Sequence, residues 1–490
     1  MMMMTPASSI SPGGLLADHF YGSSWDRWRA VLKAAFAEEM SAAEFDLFRE
    51  VADRDPPREP VQELWCIVGR GGGKDSTASA IATVAAVGDY QKFLRAGEVA
   101  SVICLACDRE QAKICLRYIR GYFREDANLE ALIVRETDDG LELVNRVEII
   151  VATNSYRSLR GRTIICTILD EVAFFRDERS ASPDEETYNA LMPALERVPG
   201  SKLIGISTPY RKIGLLYRKW AESFGKADED VLVVRGTSRQ FNPLLSQGRI
   251  DRALKRDRAA ASSEWLAEWR ADVSDYIDRA LVEELVDRGV RERVYERGKS
   301  CTAFSDEAGG SGSDASTLSI VHRQEDGVIV QDLMRIWWPP FNSAEVIAEK
   351  SNLLKAWRIR EVTGDHWAGA LPTQLYETHG IRVQPAAAKS SLYRDFLHIL
   401  NSRRVHLLDE PTQVAQLCSL ERRTAWGGRE SIDHPQLANC HDDAANALAG
   451  SCVIAASVSP AWHISDDLLR QMATFVSPGS PEWMRRRGTY

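Results

Sequence analysis

The chain has no apolar run near the ~20 residues a membrane-spanning helix needs, which excludes a transmembrane protein of the helical kind. It has no internal repeat, which excludes a solenoid or propeller. Its nine cysteines show no second CxxC to match Cys104–Cys107 at zinc spacing. Most of them sit in apolar runs, as Cys66, Cys104, Cys166 and Cys452 do, which is the pattern of reduced, buried thiols rather than a disulfide framework. Nor is there an excess of positive charge: the net charge is −9. A protein coated in basic residues for indiscriminate nucleic-acid binding is thereby excluded. The opening MMMMTPASSISPGG lacks the basic and apolar regions of a secretory signal and reads as a flexible start.

What is present is an ordinary globular composition, 44% hydrophobic and 27% charged, over 490 residues. That length predicts two or more domains. In the first half, strand-like runs alternate with helix-like ones: LWCIVG, VASVICLAC, VEIIVAT, TIICTILDE, KLIGIS and VLVVRG are short and continuously apolar. Strands covered on both faces read this way, so the first half is an α/β domain with a mostly parallel sheet. The second half begins with three strand-like runs, CTAFSDEA, STLSIVHRQ and VIVQDLMRIWW, joined by turns. Helices and strands then alternate, through a helix written TQVAQLCSLERR, to a last helix at HDDAANALAG. This is the order of a ribonuclease-H-like domain. The reading divides the chain into a flexible start (1–20), an α/β domain (21–275), a linker (276–298), the second domain (299–457) and a tail (458–490).

Three strand ends in the first half carry chemistry. IVGRGGGKDS places Arg70, Gly71, Gly72, Gly73 and Lys74 between a strand and a helix, as a phosphate-cradling loop requires. The full pattern would have glycine at Val68 and Ser or Thr at Asp75. Metal coordination there is therefore open between Asp75, through water, and the Ser76 hydroxyl. TIICTILDE ends in Asp170 and Glu171, the residue types that position Mg²⁺ and polarise an attacking water. KLIGISTP ends in Ser207 and Thr208, small hydroxyls suited to sensing a γ-phosphate. Arg70, Arg160 and Arg162 are candidates for an arginine finger.

In the second half, Asp306 lies in the first strand, Asp365 ends a later strand, and Asp442 and Asp443 open the last helix. A ribonuclease-H-like sheet brings these positions together. Acids so clustered repel unless divalent cations lie between them, and two such ions serve phosphodiester cleavage. His441 is read as packing or capping in preference to a proton shuttle, Asp314 as a loop residue and Asp332 as a strand-surface residue.

Taken in order, RGGGKD, ILDE, ISTP, FSDEAGG, VTGD and HDDAANALA make the chain similar to the phage large terminase family, from about residue 20 to about residue 455. The resemblance implies an ATPase run by Lys74, Asp170, Glu171 and the Ser207–Thr208 coupling motif. It implies a two-metal nuclease of Asp306, Asp365 and Asp443, with Asp442 as an alternative or additional ligand. The implied cofactors are ATP and Mg²⁺ or Mn²⁺, two ions at the nuclease site. The implied partners are double-stranded DNA, a portal protein, a small terminase subunit, a procapsid and further copies of the chain in a ring. The implied place is the cytoplasm of an infected bacterium, transiently at the portal. The family's adenine contact would fall near SSWDRWR, residues 23–29, with Trp25 or Trp28 either stacking on the base or packing as the apolar face of an amphipathic helix. Lys389, Arg422, Arg423 and Arg429 are the nominated DNA contacts. A helicase-nuclease or resolvase-like repair enzyme would share both sites, but the second ATPase-like domain expected of a helicase is not visible between residues 240 and 300. A non-catalytic scaffold would not need Glu171 or the acidic set.

Overall fold

The protein is described from a computed structural model, covering residues 4–153, 161–175, 183–364, 370–424, 430–435 and 440–457. Eight strands build the first sheet: β1 Glu63–Val68, β2 Ala100–Ala106, β3 Ile133–Thr137, β4 Gly140–Leu143, β5 Val147–Thr153, β6 Thr163–Asp170, β7 Lys202–Ser207 and β8 Val231–Gly236. Their order is β3-β4-β5-β2-β6-β7-β1-β8. From β5 to β8 every pair is parallel, and β3 and β4 add an antiparallel edge that the apolar runs do not announce. Alternate residues of the buried strands feed two cores. Cys66, Val102, Cys104, Ile168 and Ile206 face one; Trp65, Ile67, Ile103, Leu105 and Leu169 face the other. A strand buried on both faces cannot alternate in polarity, which is why these runs are apolar throughout.

Two registers position the site. Ile67 lies opposite Ser207, and Asp170 opposite Ile206. The ends of β1, β6 and β7 therefore open on one edge of the sheet, with the single strand β7 between the loop strand β1 and the acidic strand β6.

The second half holds β9 Val273–Asp275, β10 Val286–Asp287, β11 Cys301–Asp306, β12 Ser316–Arg323, β13 Ile329–Trp337, β14 Glu361–Gly364, β15 Arg382–Pro385, β16 Val405–Leu408, β17 Glu421–Thr424 and β18 Glu430–Asp433. Its main sheet runs β10-β16-β13-β12-β11-β14-β15. The β13-β12-β11 meander is antiparallel and β14 and β15 continue parallel to β11, the ribonuclease-H-like arrangement. The helix Asp443–Ser457 packs on β11 and β12.

Four readings change. The stretch 1–20, read as a flexible start, buries Ala7, Ile10, Leu16 and Phe20 in the first domain's core. The helix written through SLERR stops at Ser419, and Glu421–Thr424 forms β17, paired with both β18 and β9. The stretch 276–298, read as a linker, places Tyr276, Ile277, Val282 and Leu285 in the second domain's core. Asp332, read as a surface residue, is buried, with an oxygen 2.6 Å from His322 Nδ1. Among the described residues no helix is long and apolar enough to cross a membrane, and the nine cysteines are free thiols.

Candidate active sites

The glycine loop leaves β1 at Val68 and enters the helix Lys74–Ala86. Gly73 has φ of +84°, where an L side chain is strained, and a Cβ there would fall 2.8 Å from the Trp25 ring. A Cβ on Gly72 would fall 2.5 Å from Val68 Cγ1. The departure at Val68 thus has a steric account: the valine occupies buried space under the loop. The demand for a bare backbone moves one place on, to Gly69, whose Cβ would meet Ser238 Oγ at 2.5 Å.

Trp28 does not present a face to a base. It is buried, packs on Phe241 with ring centroids 4.5 Å apart, and its Nε1–H donates to the Gly72 carbonyl at 2.7 Å. It braces the loop from below, and Asn242 Nδ2 does likewise at Gly71 O, 3.0 Å away. Trp28→Phe should leave that buried carbonyl unpaired. A stability loss of about 1–3 kcal/mol is expected, with a raised KM for ATP, checked by thermal unfolding and ATP titration.

Around the loop the three strand ends meet. Lys74 Nζ is 3.0 Å from Glu171 Oε1. The other Glu171 oxygen accepts from Ser207 Oγ at 3.0 Å and from the Thr208 N–H at 3.4 Å. Glu171 reaches them from a left-handed backbone, φ +51°, an uncommon conformation for a residue with a side chain and of the kind that collects at functional sites. Burial opposes the charge on Lys74, but Glu171, Asp75 and Asp170 outweigh it, and the ammonium is held above its usual range. Asp170 is buried. One oxygen accepts from Gln111 Nε2 at 3.0 Å and the other, Oδ1, has no hydrogen-bond partner. Burial pushes its carboxyl up to about 8, with Asp75 and Glu171 adding to the effect. Asp75 Oδ1 is likewise buried without a partner, and burial raises that carboxyl too.

Two orphaned carboxylate oxygens beside a phosphate loop are the donor set a hard divalent cation takes. The residues fit a Mg²⁺ accompanying a nucleotide, with Asp75 replacing the usual hydroxyl. Ser76 offers its carbonyl to Tyr122 Oη–H at 3.1 Å. Arg70 is exposed, 3.5 Å from Glu264. Arg162 stands just before β6, at the sheet edge opposite Asp170, and pairs with Glu148. That removes it as a finger for its own chain's loop. Arg160 lies outside the described residues.

In the second domain, Asp306 ends β11 and its Oδ2 accepts from Asn446 Nδ2 at 2.7 Å. Asp443 opens the last helix one turn before Asn446. Its Oδ2 accepts from the Ala315 N–H at 2.9 Å, and its carbonyl accepts from Thr317 Oγ1, the residue opposite Asp306 in the β11–β12 register. Asp306 and Asp443 therefore share one end of the sheet. Burial lifts the Asp443 carboxyl to about 6, Asp442 and Asp314 add, and the Ala315 N–H opposes. β14 ends at Gly364, opposite Ser305. Asp365, the third acid, lies outside the described residues.

The structure separates Asp442 from Asp443. Asp442 is buried and fully engaged: Lys389 Nζ at 2.7 Å, Tyr393 Oη at 2.7 Å and His434 Nδ1 at 3.0 Å. Burial alone would raise its carboxyl, but His434 and Lys389 carry it below the usual range. Asp433, His434 and Asp442 form a cluster of metal-holding geometry, and Lys389 already supplies its cation. Lys389 is thus an internal counter-ion, a correction to its nomination as a DNA contact. Arg423 is likewise paired, with Glu421 at 3.1 Å. Arg422 is half-buried with an unpartnered Nε, and Arg429 lies outside the described residues. His441 Nδ1 is 3.2 Å from Asp314. Glu307 and Lys350, beside Asp306, went unnoticed in the sequence; the only signal was the acidic pair in FSDEAGG.

The first domain also meets the small sheet of β9, β17 and β18 through contacts that sequence reasoning missed. Two residues after Thr208, Tyr210 Oη–H donates to Glu421 Oε2 of β17 at 2.9 Å, and Arg211 lies 2.9 Å from Asp275 of β9.

The fold and sites define a P-loop α/β domain followed by a ribonuclease-H-like domain. Residues 33–266 match a family model described as uncharacterized protein MJ0330, N-terminal P-loop domain. No curated protein matches. Among solved structures, the chain is similar to the large terminase of bacteriophage HK97 at 16% identity, over 80% of this chain and 91% of that one, with a TM-score of 0.36. It is similar to the large terminase of a thermophilic bacteriophage in complex with ATP-gamma-S at 14% identity, over 87% and 98%, TM-score 0.37. It is also similar to the large terminase nuclease of the thermophilic phage G20c with bound magnesium at 15% identity, over 35% and 94%, TM-score 0.31.

Proposed function

We propose that the chain is a viral DNA-packaging motor of the large-terminase kind. One observation carries the reading: a single chain holds both a phosphate loop whose lysine meets Glu171, itself bonded to Ser207 at the adjoining strand end, and, in its second domain, Asp306 and Asp443 at one sheet end.

In the first domain, the N–H groups of Gly71 to Lys74 and the helix behind them bind the phosphates, and Lys74 meets their outer oxygens. Glu171 takes the proton of the attacking water, held for that task by its left-handed backbone. Asp170 and Asp75 would hold a Mg²⁺, which would supply charge neutralisation at the phosphates. Ser207 and Thr208, already hydrogen-bonded to Glu171, sense the change at the γ-phosphate. Tyr210 passes it to β17.

In the second domain, Asp306 and Asp443, with Asp365, would hold divalent cations, which would supply water activation and charge stabilisation for phosphodiester cleavage. Asn446 orients Asp306, and the Ala315 N–H orients Asp443. The substrate in this reading is concatemeric double-stranded DNA, cut and then moved into a procapsid. The partners are a portal, a small terminase subunit and further copies of the chain in a ring, inside an infected bacterium.

The test is ATP turnover with and without procapsids bearing a portal, together with protection of DNA from added nuclease. Procapsid-stimulated hydrolysis with ATP-dependent protection is expected. ATP-dependent strand separation without protection would instead establish the helicase-nuclease, and absence of turnover would refute the motor.

A further inference from the structure

Lys350 is wholly buried, at 0% exposure, in the middle of the helix Ser343–Ala356. It lies in neither site as read above. Its Nζ, with three N–H donors, lies 2.7 Å from Ser316 Oγ, 2.8 Å from Ser305 Oγ, 3.1 Å from Glu307 Oε1 and 3.3 Å from the Asp306 carbonyl oxygen. All four acceptors belong to the end of β11 and the start of β12. Tyr376, also buried, closes the group from a second helix, donating to Glu307 Oε1 at 2.7 Å with its oxygen 3.1 Å from Ser305 Oγ.

The placement follows from strand alternation. Successive side chains of a strand point to opposite faces. Ser305 and Glu307 turn toward Lys350, so Asp306 between them turns the other way, toward Asn446 and the last helix. Lys350 grips both neighbours of Asp306 and its carbonyl, and so sets the direction in which the Asp306 carboxylate leaves the backbone. Stability does not account for such a group. A buried ion pair is commonly replaced by apolar residues of like volume without loss, and the core around β11 has such residues in Leu318, Ile320 and Ile347. What an apolar side chain cannot supply is several directed bonds to three consecutive residues.

We infer that Lys350, bound to Ser305 and Glu307, which Tyr376 braces in turn, is a positioning residue for the Asp306 carboxylate of the nuclease site, an inference that rests on the nuclease reading above.

The experiment uses the full-length chain with Lys350→Met and Tyr376→Phe, following plasmid cleavage against Mn²⁺ concentration and ATP hydrolysis in parallel. A misplacement of about 1 Å costs on the order of 10²-fold in rate. Lys350→Met is therefore expected to lower the cleavage rate at saturating Mn²⁺ by about 10²-fold and to raise the half-saturating Mn²⁺, with ATP hydrolysis unchanged. Tyr376→Phe, which leaves no unpaired charge, is expected to move both quantities the same way by less, and it carries the test where Lys350→Met does not fold. Two folded variants with wild-type rate and wild-type Mn²⁺ dependence overturn the positioning role and leave the nuclease reading standing. A lower half-saturating Mn²⁺ at unchanged rate also overturns it, since removal of a nearby positive charge would then be the whole effect. Wild-type protein that cuts no DNA at any Mn²⁺ concentration overturns the nuclease reading itself.

Discussion

Glu171→Gln is expected to reduce ATP turnover by about 10²–10⁴-fold, the usual worth of a positioned general base, and to leave metal-dependent DNA cleavage intact. The substitution keeps the shape and the hydrogen bonds to Ser207 and Thr208. It removes the charge that faces Lys74 and the capacity to take a proton. Phosphate release measured beside plasmid cleavage checks it. Lys74→Ala should give the same separation, through loss of phosphate binding, and would show as a raised KM besides a lowered kcat. Asp170 adds a proton-linked signature. Its carboxyl is pushed up to about 8, so near pH 7 it is mostly protonated before a cation arrives. A cation at the unpartnered Oδ1 requires the carboxylate. Binding of Mg²⁺ with ATP should therefore release a proton below about pH 8 and little above it. Titration calorimetry in buffers of different ionisation enthalpy reads this directly, and Asp170→Asn should reduce it, the remainder coming from the raised carboxyl of Asp75.

The second large effect belongs to the other domain. Asp306→Asn or Asp443→Asn should lower DNA cleavage by at least about 10³-fold, because a bound metal contributes several kcal/mol and each 1.36 kcal/mol is tenfold in rate. ATP hydrolysis should stay at the wild-type level. Asp442→Asn should behave differently: it breaks a buried set of contacts with Lys389, Tyr393 and His434 and so acts on stability as well as cleavage. The pH dependence follows in sign from Asp443. Its carboxyl titrates at about 6, above its usual range, so it is neutral below that pH and cannot hold a cation well. Cleavage should fall as pH drops through about 6. Raising Mg²⁺ should push that limb to lower pH, because metal and proton compete for the same oxygens. A profile flat from pH 5 to 8 would remove Asp443 from the metal site.

Much of this was legible in the order of residues. Apolar runs ending in Lys74, Asp170–Glu171 and Ser207–Thr208 mark strand ends, because a buried strand must stop being apolar where it meets solvent or a ligand. Asp306 and Asp443 were legible for the same reason, at a strand end and a helix start. The hairpin of β17 and β18 was not. Glu421, Arg422 and Arg423 continue the charge pattern of a helix, and only pairing with β9, almost 150 positions earlier, makes them a strand. Trp28 was ambiguous because an indole serves equally to stack on a base or to pack in an apolar core, and its burial against Phe241 beneath the Gly72 carbonyl decides for packing.

The sequence by itself determined the two domains' classes, the glycine loop, and the acids at the ends of β6 and β11 and at the start of the last helix. These depend on local chemistry: burial dictates apolar strands, close backbone approach dictates glycine, and cation binding dictates carboxylates. The tertiary structure alone decided how like residues divide their tasks. Asp442 is neutralised by Lys389 while the carboxylate of its neighbour Asp443 accepts from the Ala315 N–H at the sheet end that carries Asp306. Asp332 is buried against His322. Lys350 is drawn wholly inside beneath Asp306. A charged side chain acquires its role from the partners that compensate its desolvation, and those partners come from distant parts of the chain.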